Sequence, residues 1–242
     1  MTFKFFGSKE VALLMAAAVA VAGVWGFAEI ADEVLEGETL SFDERVVRSM
    51  RAPGNPSALR GPRWLHEVGR DVTALGSYTV LSLVVAVIAI GLLLRRRGRA
   101  AALVLTAGFG GGLLNAVLKA LFDRGRPDLP QVVYVTSSSF PSGHAMISTG
   151  VYLTLGALLA GMVTERRQKV YCLSVAMLIA LLVGVSRVYL GAHYLTDVLA
   201  GWLAGSAWAM ICLLAFRRLE DRPARWPPLQ GEEAKREGEN VE

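Results

Sequence analysis

At 242 residues, with 53% hydrophobic and only 19% charged side chains and a formal charge of +4, the chain is too apolar for an ordinary soluble domain. Its mean hydropathy is +0.44, and the apolar residues fall in blocks of about 20, which at ~1.5 Å per helical residue match a hydrocarbon core of ~30 Å. Two cysteines, Cys172 and Cys212, sit inside such blocks without metal-motif spacing; they read as core residues and exclude a secreted disulfide scaffold.

Taken in chain order, the blocks predict an all-α, polytopic bundle of six transmembrane helices, over 10–30, 74–94, 100–121, 143–163, 170–190 and 194–216. The first follows Lys4 and Lys9, as a secretory signal would. Its apolar stretch is long, however, and no small-x-small cleavage site follows, so an uncleaved helix is expected. Segment 31–73 is long for a connection. The stretch from Glu29 to Asp71 holds nine acids against six arginines, is broken by "APGNPS" (52–57) and "GP" (61–62), and is expected to contain short or interfacial helices. The division is therefore an N-terminal tail (1–9), a membrane domain (10–216) and a charged, aperiodic tail (217–242) expected to be disordered. The pairs Gly108/Gly112 and Gly201/Gly205 have the G-x-x-x-G spacing of close helix packing.

Basic clusters at Lys4/Lys9, 95–99, 165–169 and 217–225 all fall on one side if six spans alternate, which by the positive-inside rule is the cytoplasmic side. Both termini are then cytoplasmic. Segments 31–73, 122–142 and the turn near 190 lie outside the cell membrane.

The remaining ionisable residues converge on that outer rim: Lys119, Arg124 and Arg126, then Ser142 and His144, Ser186 and Arg187, and His193 and Asp197. Charges at membrane depth are costly and mark function. Lys119 can simply snorkel to the interface, although Asn115 one turn earlier argues for a polar cavity. Asp123 can pair with Arg124 or Arg126. His193 and Asp197 are four apart and share a helix face. Such a pair serves either a carboxylate-oriented imidazole or a zinc site. Lys119, Arg126 and Arg187 around it repel a cation and suit phosphate oxygens, which disfavours metal. His66 has no such company and reads as incidental.

"PSGH" (141–144) opens the fourth span. Ser142 can cap the helix, Gly143 permits close backbone approach, and the free N–H groups of a helix N-terminus bind anions. His144 is placed to give a proton to a leaving oxygen. The stretch reads as half of a phosphate pocket.

Three blocks, "KALFDRGRP" (119–127), "PSGH" (141–144) and "SRVYLGAHYLTD" (186–197), follow the patterns K-x6-R-P, P-S-G-H and S-R-x5-H-x3-D. Together they resemble the type 2 phosphatidic acid phosphatase superfamily, in its six-span bacterial branch. The resemblance implies His193 as a nucleophile forming a phosphohistidine, Asp197 as its orienting group, and His144 as the acid on the leaving group and then the base on water. It implies Lys119, Arg126, Ser142, Gly143 and Arg187 as phosphate ligands, and it implies no metal and no cofactor. The expected partners are the membrane and a lipid phosphate, not nucleic acid; nothing in the sequence addresses oligomeric state. Undecaprenyl pyrophosphate, phosphatidic acid and phosphatidylglycerophosphate all fit an outward-facing pocket, which mildly favours the first. A lipid phosphotransferase with the same intermediate, and a non-catalytic anionic-lipid transporter or scrambler, are the alternatives; transport would need no nucleophile.

Overall fold

A computed structural model describes residues 8–128 and 138–220. Of the tails expected over 1–9 and 217–242, residues 1–7 and 221–242 lie outside the described residues, whereas 8–9 and 217–220 belong to helices. Among the described residues the regular structure is helical except for one two-stranded hairpin. Helix α1 spans Ser8–Glu36, α2 Leu40–Ser49, α3 Arg63–Ala74 and α4 Tyr78–Leu94. Helix α5 (Gly98–Leu105) passes through a π-helical turn (Thr106–Gly110) into α6 (Gly111–Leu121). Helices α7 (Gly143–Met162), α8 (Arg166–Tyr189) and α9 (Leu195–Glu220) complete the bundle. Strands β1 (Arg51–Ala52) and β2 (Asn55–Leu59) pair antiparallel between α2 and α3.

Five helical stretches are long and apolar enough to cross a membrane: Leu13–Glu36, Gly98–Leu121, Gly143–Met162, Arg166–Tyr189 and Leu195–Arg218. The sixth is α4, which passes the same test together with α3 across a 48° bend. The bend has a local cause. The Ser77 hydroxyl caps α4 by accepting from the Val80 N–H at 3.2 Å, while Gly76 lies so close to Val183 that no side chain fits there. The first span also runs further than the apolar block. Glu and Ala are good helix formers, so α1 continues through "AEIADEVLE" and stops only at Gly37, whose φ is +77°.

Helix α7 is the hub. Its Ala145 packs with Val47 of α2, Val188 of α8 and Val198 of α9, and its Ile147 and Val151 pack with Leu81 and Val85 of α4 and Val104 of α5. Closeness to α9 comes from Gly201 and Gly205: a Cβ on Gly201 would meet the Ser142 carbonyl at 2.8 Å, and one on Gly205 would meet Thr149 at 2.9 Å. The other glycine pair divides. Gly108 abuts Val85, whereas a Cβ on Gly112 would meet nothing within 4 Å. Cys172 and Cys212 are both free thiols. Away from the hub, α4 and α8 leave Leu83, Val87, Leu94, Met177 and Leu178 exposed, an apolar outer face suited to lipid.

Candidate active site

The site is assembled from the two ends of four segments. After α6, residues 122–125 and 138–142 run back along each other: the Ser139 N–H donates to the Arg124 carbonyl at 2.9 Å, and the Ser138 hydroxyl to the Phe122 carbonyl at 2.6 Å. An aromatic cluster braces this return against α1, with Phe122 and Phe140 at 4.9 Å and Phe27 and Phe140 at 5.7 Å between ring centroids. The Ser142 N–H then donates to the Asp197 carbonyl at 2.9 Å, which docks the start of α7 on the start of α9.

His193 lies in the turn between α8 and α9, 2% exposed. Its Nδ1 is 3.4 Å from Asp197 Oδ2, and the same oxygen accepts the Tyr194 N–H at 3.0 Å. The other ring nitrogen, Nε2, is 3.3 Å from Arg126 Nη1, which itself donates to the Ala192 carbonyl at 2.6 Å. Lys119 also points here, donating its ammonium to the Ser138 carbonyl, toward which Arg126 Nη2 reaches at 3.5 Å. Arg187 is buried and donates to the Thr73 hydroxyl at 3.1 Å; its Nε has no partner among the described residues. Lys119, Arg126 and Arg187 lie near enough to act electrostatically on one another, and all three act on His144. The described residues contain no cluster of His, Cys, Asp and Glu able to hold a metal ion.

Burial pushes the His193 imidazole down to about 4, against the upward pull of Asp197, and the positive charges of Arg187 and Arg126 push in the same direction as burial. Its ring is therefore neutral at neutral pH. Burial likewise lowers the Arg126 guanidinium from its ordinary value.

At the start of α7 the first helical bond is from the Met146 N–H to the Ser142 carbonyl, so the N–H groups of 143–145 have no acceptor within the helix. The Ser142 hydroxyl is buried without a partner among the described residues. Gly143 is required for a reason the sequence did not suggest. A Cβ there would meet Asn115 Oδ1 at 2.7 Å and the Tyr78 hydroxyl at 3.0 Å, two groups that bond each other at 3.2 Å. The Tyr78 ring stands edge-on to His144, 6.5 Å between centroids.

All eight residues singled out in the sequence thus border one region. Arg124, read on the same rim, lies there too, and Asp43 and Arg51 join them without having carried any sequence signal. Expected as a possible partner for Asp123, Arg124 forks between two other carboxylates. Its Nη1 donates to Asp197 Oδ1 at 2.6 Å and its Nη2 to Asp43 Oδ2 at 2.8 Å. Asp43, on α2, is fully buried; in "SFDERV" nothing distinguishes it from Glu44. Arg51 of β1 is also buried, against the turn that carries His193, with Nη2 3.4 Å from the Leu190 carbonyl. His66 stays outside the site, its ring 6.2 Å from that of Tyr189.

A family model described as "PAP2 superfamily" matches residues 99–221. The chain is 39% identical over 145 residues to a phosphatidylglycerophosphatase B of Bacillus subtilis, covering 59% of this chain and 70% of the relative. It is 42% identical over 72 residues to an undecaprenyl-diphosphatase of Sulfolobus acidocaldarius, covering 29% and 30% of the two chains. The fold is similar to the crystal structure of a transmembrane PAP2-type phosphatidylglycerolphosphate phosphatase from Bacillus subtilis, with a TM-score of 0.73 and 31% identity over 85% of this chain and 98% of that one.

Proposed function

The chain belongs to the PAP2 superfamily and is a multi-pass membrane phosphatase; from that premise we propose that it hydrolyses a lipid phosphate through a phosphohistidine on His193, without a metal. The observation that carries the mechanism is the buried His193, held at Nδ1 by Asp197 with Arg126 beside Nε2. A carboxylate on Nδ1 fixes the tautomer that leaves the Nε2 lone pair free to attack phosphorus. As the P–O bond to the lipid breaks, negative charge on the equatorial oxygens is met by Lys119, Arg126, Arg187, the Ser142 hydroxyl and the Gly143 N–H. His144 gives its proton to the leaving oxygen. It then takes one from water, whose oxygen attacks phosphorus and returns His193 to its free state.

The membrane domain of 10–216 carries this site, and the tails before and after it are cytoplasmic. The turn at 95–97 and the start of α8, with Arg166, Arg167 and Lys169, bear two of the basic clusters. The positive-inside rule puts them in the cytoplasm and the site on the outer face, where segment 37–77 lies over it. Phosphatidylglycerophosphate is the leading substrate, because the relative matched over 145 residues is a phosphatidylglycerophosphatase. Undecaprenyl diphosphate is the second reading, on the shorter match to an undecaprenyl-diphosphatase.

The test is phosphate release by purified protein in detergent with excess EDTA, on phosphatidylglycerophosphate, undecaprenyl diphosphate and phosphatidic acid, beside His193→Ala. EDTA-resistant release from one lipid, lost in the variant, is expected. Turnover that survives His193→Ala would overturn the nucleophile; phosphate appearing on a second lipid would make the protein a transferase.

A further inference from the structure

The segment between the first two spans holds a carboxylate that no motif includes. Asp43 of α2 is fully buried and accepts three hydrogen bonds, from the Thr196 N–H at 3.1 Å, the Thr196 hydroxyl at 2.5 Å and Arg124 Nη2 at 2.8 Å. Thr196 stands in the first turn of α9, so Asp43 satisfies an N–H that the helix leaves without an acceptor and places a negative charge at the positive end of its dipole. The same helix start presents Asp197.

Arg124 links the two acids. Its fork gives one Nη to Asp43 and the other to Asp197 Oδ1, with the Thr39 hydroxyl accepting at 3.1 Å and the Tyr194 ring beneath the guanidinium, 4.7 Å away. Two buried carboxylates therefore share one cation. How much of the Asp197 charge faces His193 Nδ1 depends on how firmly Asp43 holds the other half of Arg124. With that partner neutralised, the guanidinium is free to close on Asp197, and the imidazole loses the field that makes Nε2 nucleophilic.

We propose that Asp43 is a positioning residue for the catalytic dyad, acting through Arg124 and Thr196 on Asp197, so that α2 is part of the working site rather than a passive connection. The inference rests on the proposed roles of His193 and Asp197. Val47, one turn beyond Asp43, supports it independently: it is fully buried against Ala145, Val188 and Val198, which fixes α2 rigidly over the start of α9.

The experiment compares Asp43→Asn, Asp43→Glu, Glu44→Gln and His193→Ala, each checked for monodispersity in detergent, for kcat and KM on the lipid the parent hydrolyses. Asp43→Asn keeps the shape and loses the charge. It should lower kcat about 10- to 100-fold with KM within threefold. Asp43→Glu keeps the charge and should recover part of that loss. Glu44→Gln removes a half-exposed acid from the same helix and should match the parent. Parent-like kcat in folded Asp43→Asn, a worse result for Glu than for Asn, or an equal loss in Glu44→Gln would each overturn the proposal. Should Asp43→Asn fail to fold, Thr196→Val removes only the shared hydroxyl. A several-fold fall in kcat at constant KM is then expected, and an unchanged kcat counts against the inference. Turnover surviving His193→Ala overturns the nucleophile assignment and this inference with it. A dead His193→Ala beside a parent-like Asp43→Asn sinks this inference alone.

Discussion

Arg126 Nη1 lies 3.3 Å from His193 Nε2 while the same nitrogen donates to the Ala192 carbonyl at 2.6 Å. A guanidinium anchored to the backbone beside the nitrogen proposed to attack stands where, on that mechanism, the charge of a transferring phosphoryl group would develop. Lysine would keep the charge but lose the fork that reaches two acceptors at once. Arg126→Lys is therefore expected to lower kcat/KM about 10- to 100-fold, with the thermal midpoint nearly unchanged. Steady-state kinetics and a melt in detergent check both; a rate near that of the parent would remove Arg126 from the phosphate ligands.

The protonation of His193 can be followed without substrate. The chain has only three histidines, so 15N-imidazole spectra can be assigned by substituting them singly. Burial and the flanking arginines favour the neutral ring, so its titration midpoint should fall near pH 4, below the ordinary value of 6.5. Arg126→Met removes one of the opposing charges and should move the midpoint upward. A midpoint at or above 6.5 in the parent would mean that Asp197 outweighs burial and the two arginines.

Gly191 tests the turn that delivers His193. Its φ is +72°, and Arg51 occupies the space where a Cβ would project. Gly191→Ala should lower stability by about 1–2 kcal/mol for the backbone alone, with a further loss from displacing Arg51. Adding Arg51→Ala should recover only the steric part. Thermal melts of the two singles and the double separate the contributions, and an unaffected Gly191→Ala would show that the turn relaxes freely.

Two glycines of identical spacing should behave oppositely. Gly205→Ala drives a methyl into the Met146 carbonyl and Thr149, so α9 must move from α7 and the melting temperature should fall by several degrees. Gly112→Ala meets open space and should be neutral or slightly stabilising through helix propensity. Equal effects at the two positions would mean that α7 and α9 are not packed as described.

The number of spans and the rim on which the site forms could be read without coordinates because both are one-dimensional. A stretch of apolar residues matches a membrane thickness, and alternation assigns each charged end to one side. The three motif blocks carry their chemistry in residue type and spacing, so Lys119, Arg126, Ser142, Gly143, His144, Arg187, His193 and Asp197 stand out in the chain itself.

Other features depend on partners far away in sequence. Whether "AEIADEVLE" ends a helix is decided by Gly37, not by polarity. Gly143 is needed for Asn115 and Tyr78, contributed by other helices. Of the acids at 43 and 44, one is buried and the other half-exposed, and only the approach of α2 to α9 distinguishes them. The sequence by itself determined the membrane architecture and the candidate reacting groups, because periodicity, charge and motif spacing are local. Tertiary structure alone decided what orients those groups. A buried carboxylate is stable only where hydrogen bonds replace its lost water, and here Arg124 and Thr196, 81 and 153 residues away from Asp43, supply them.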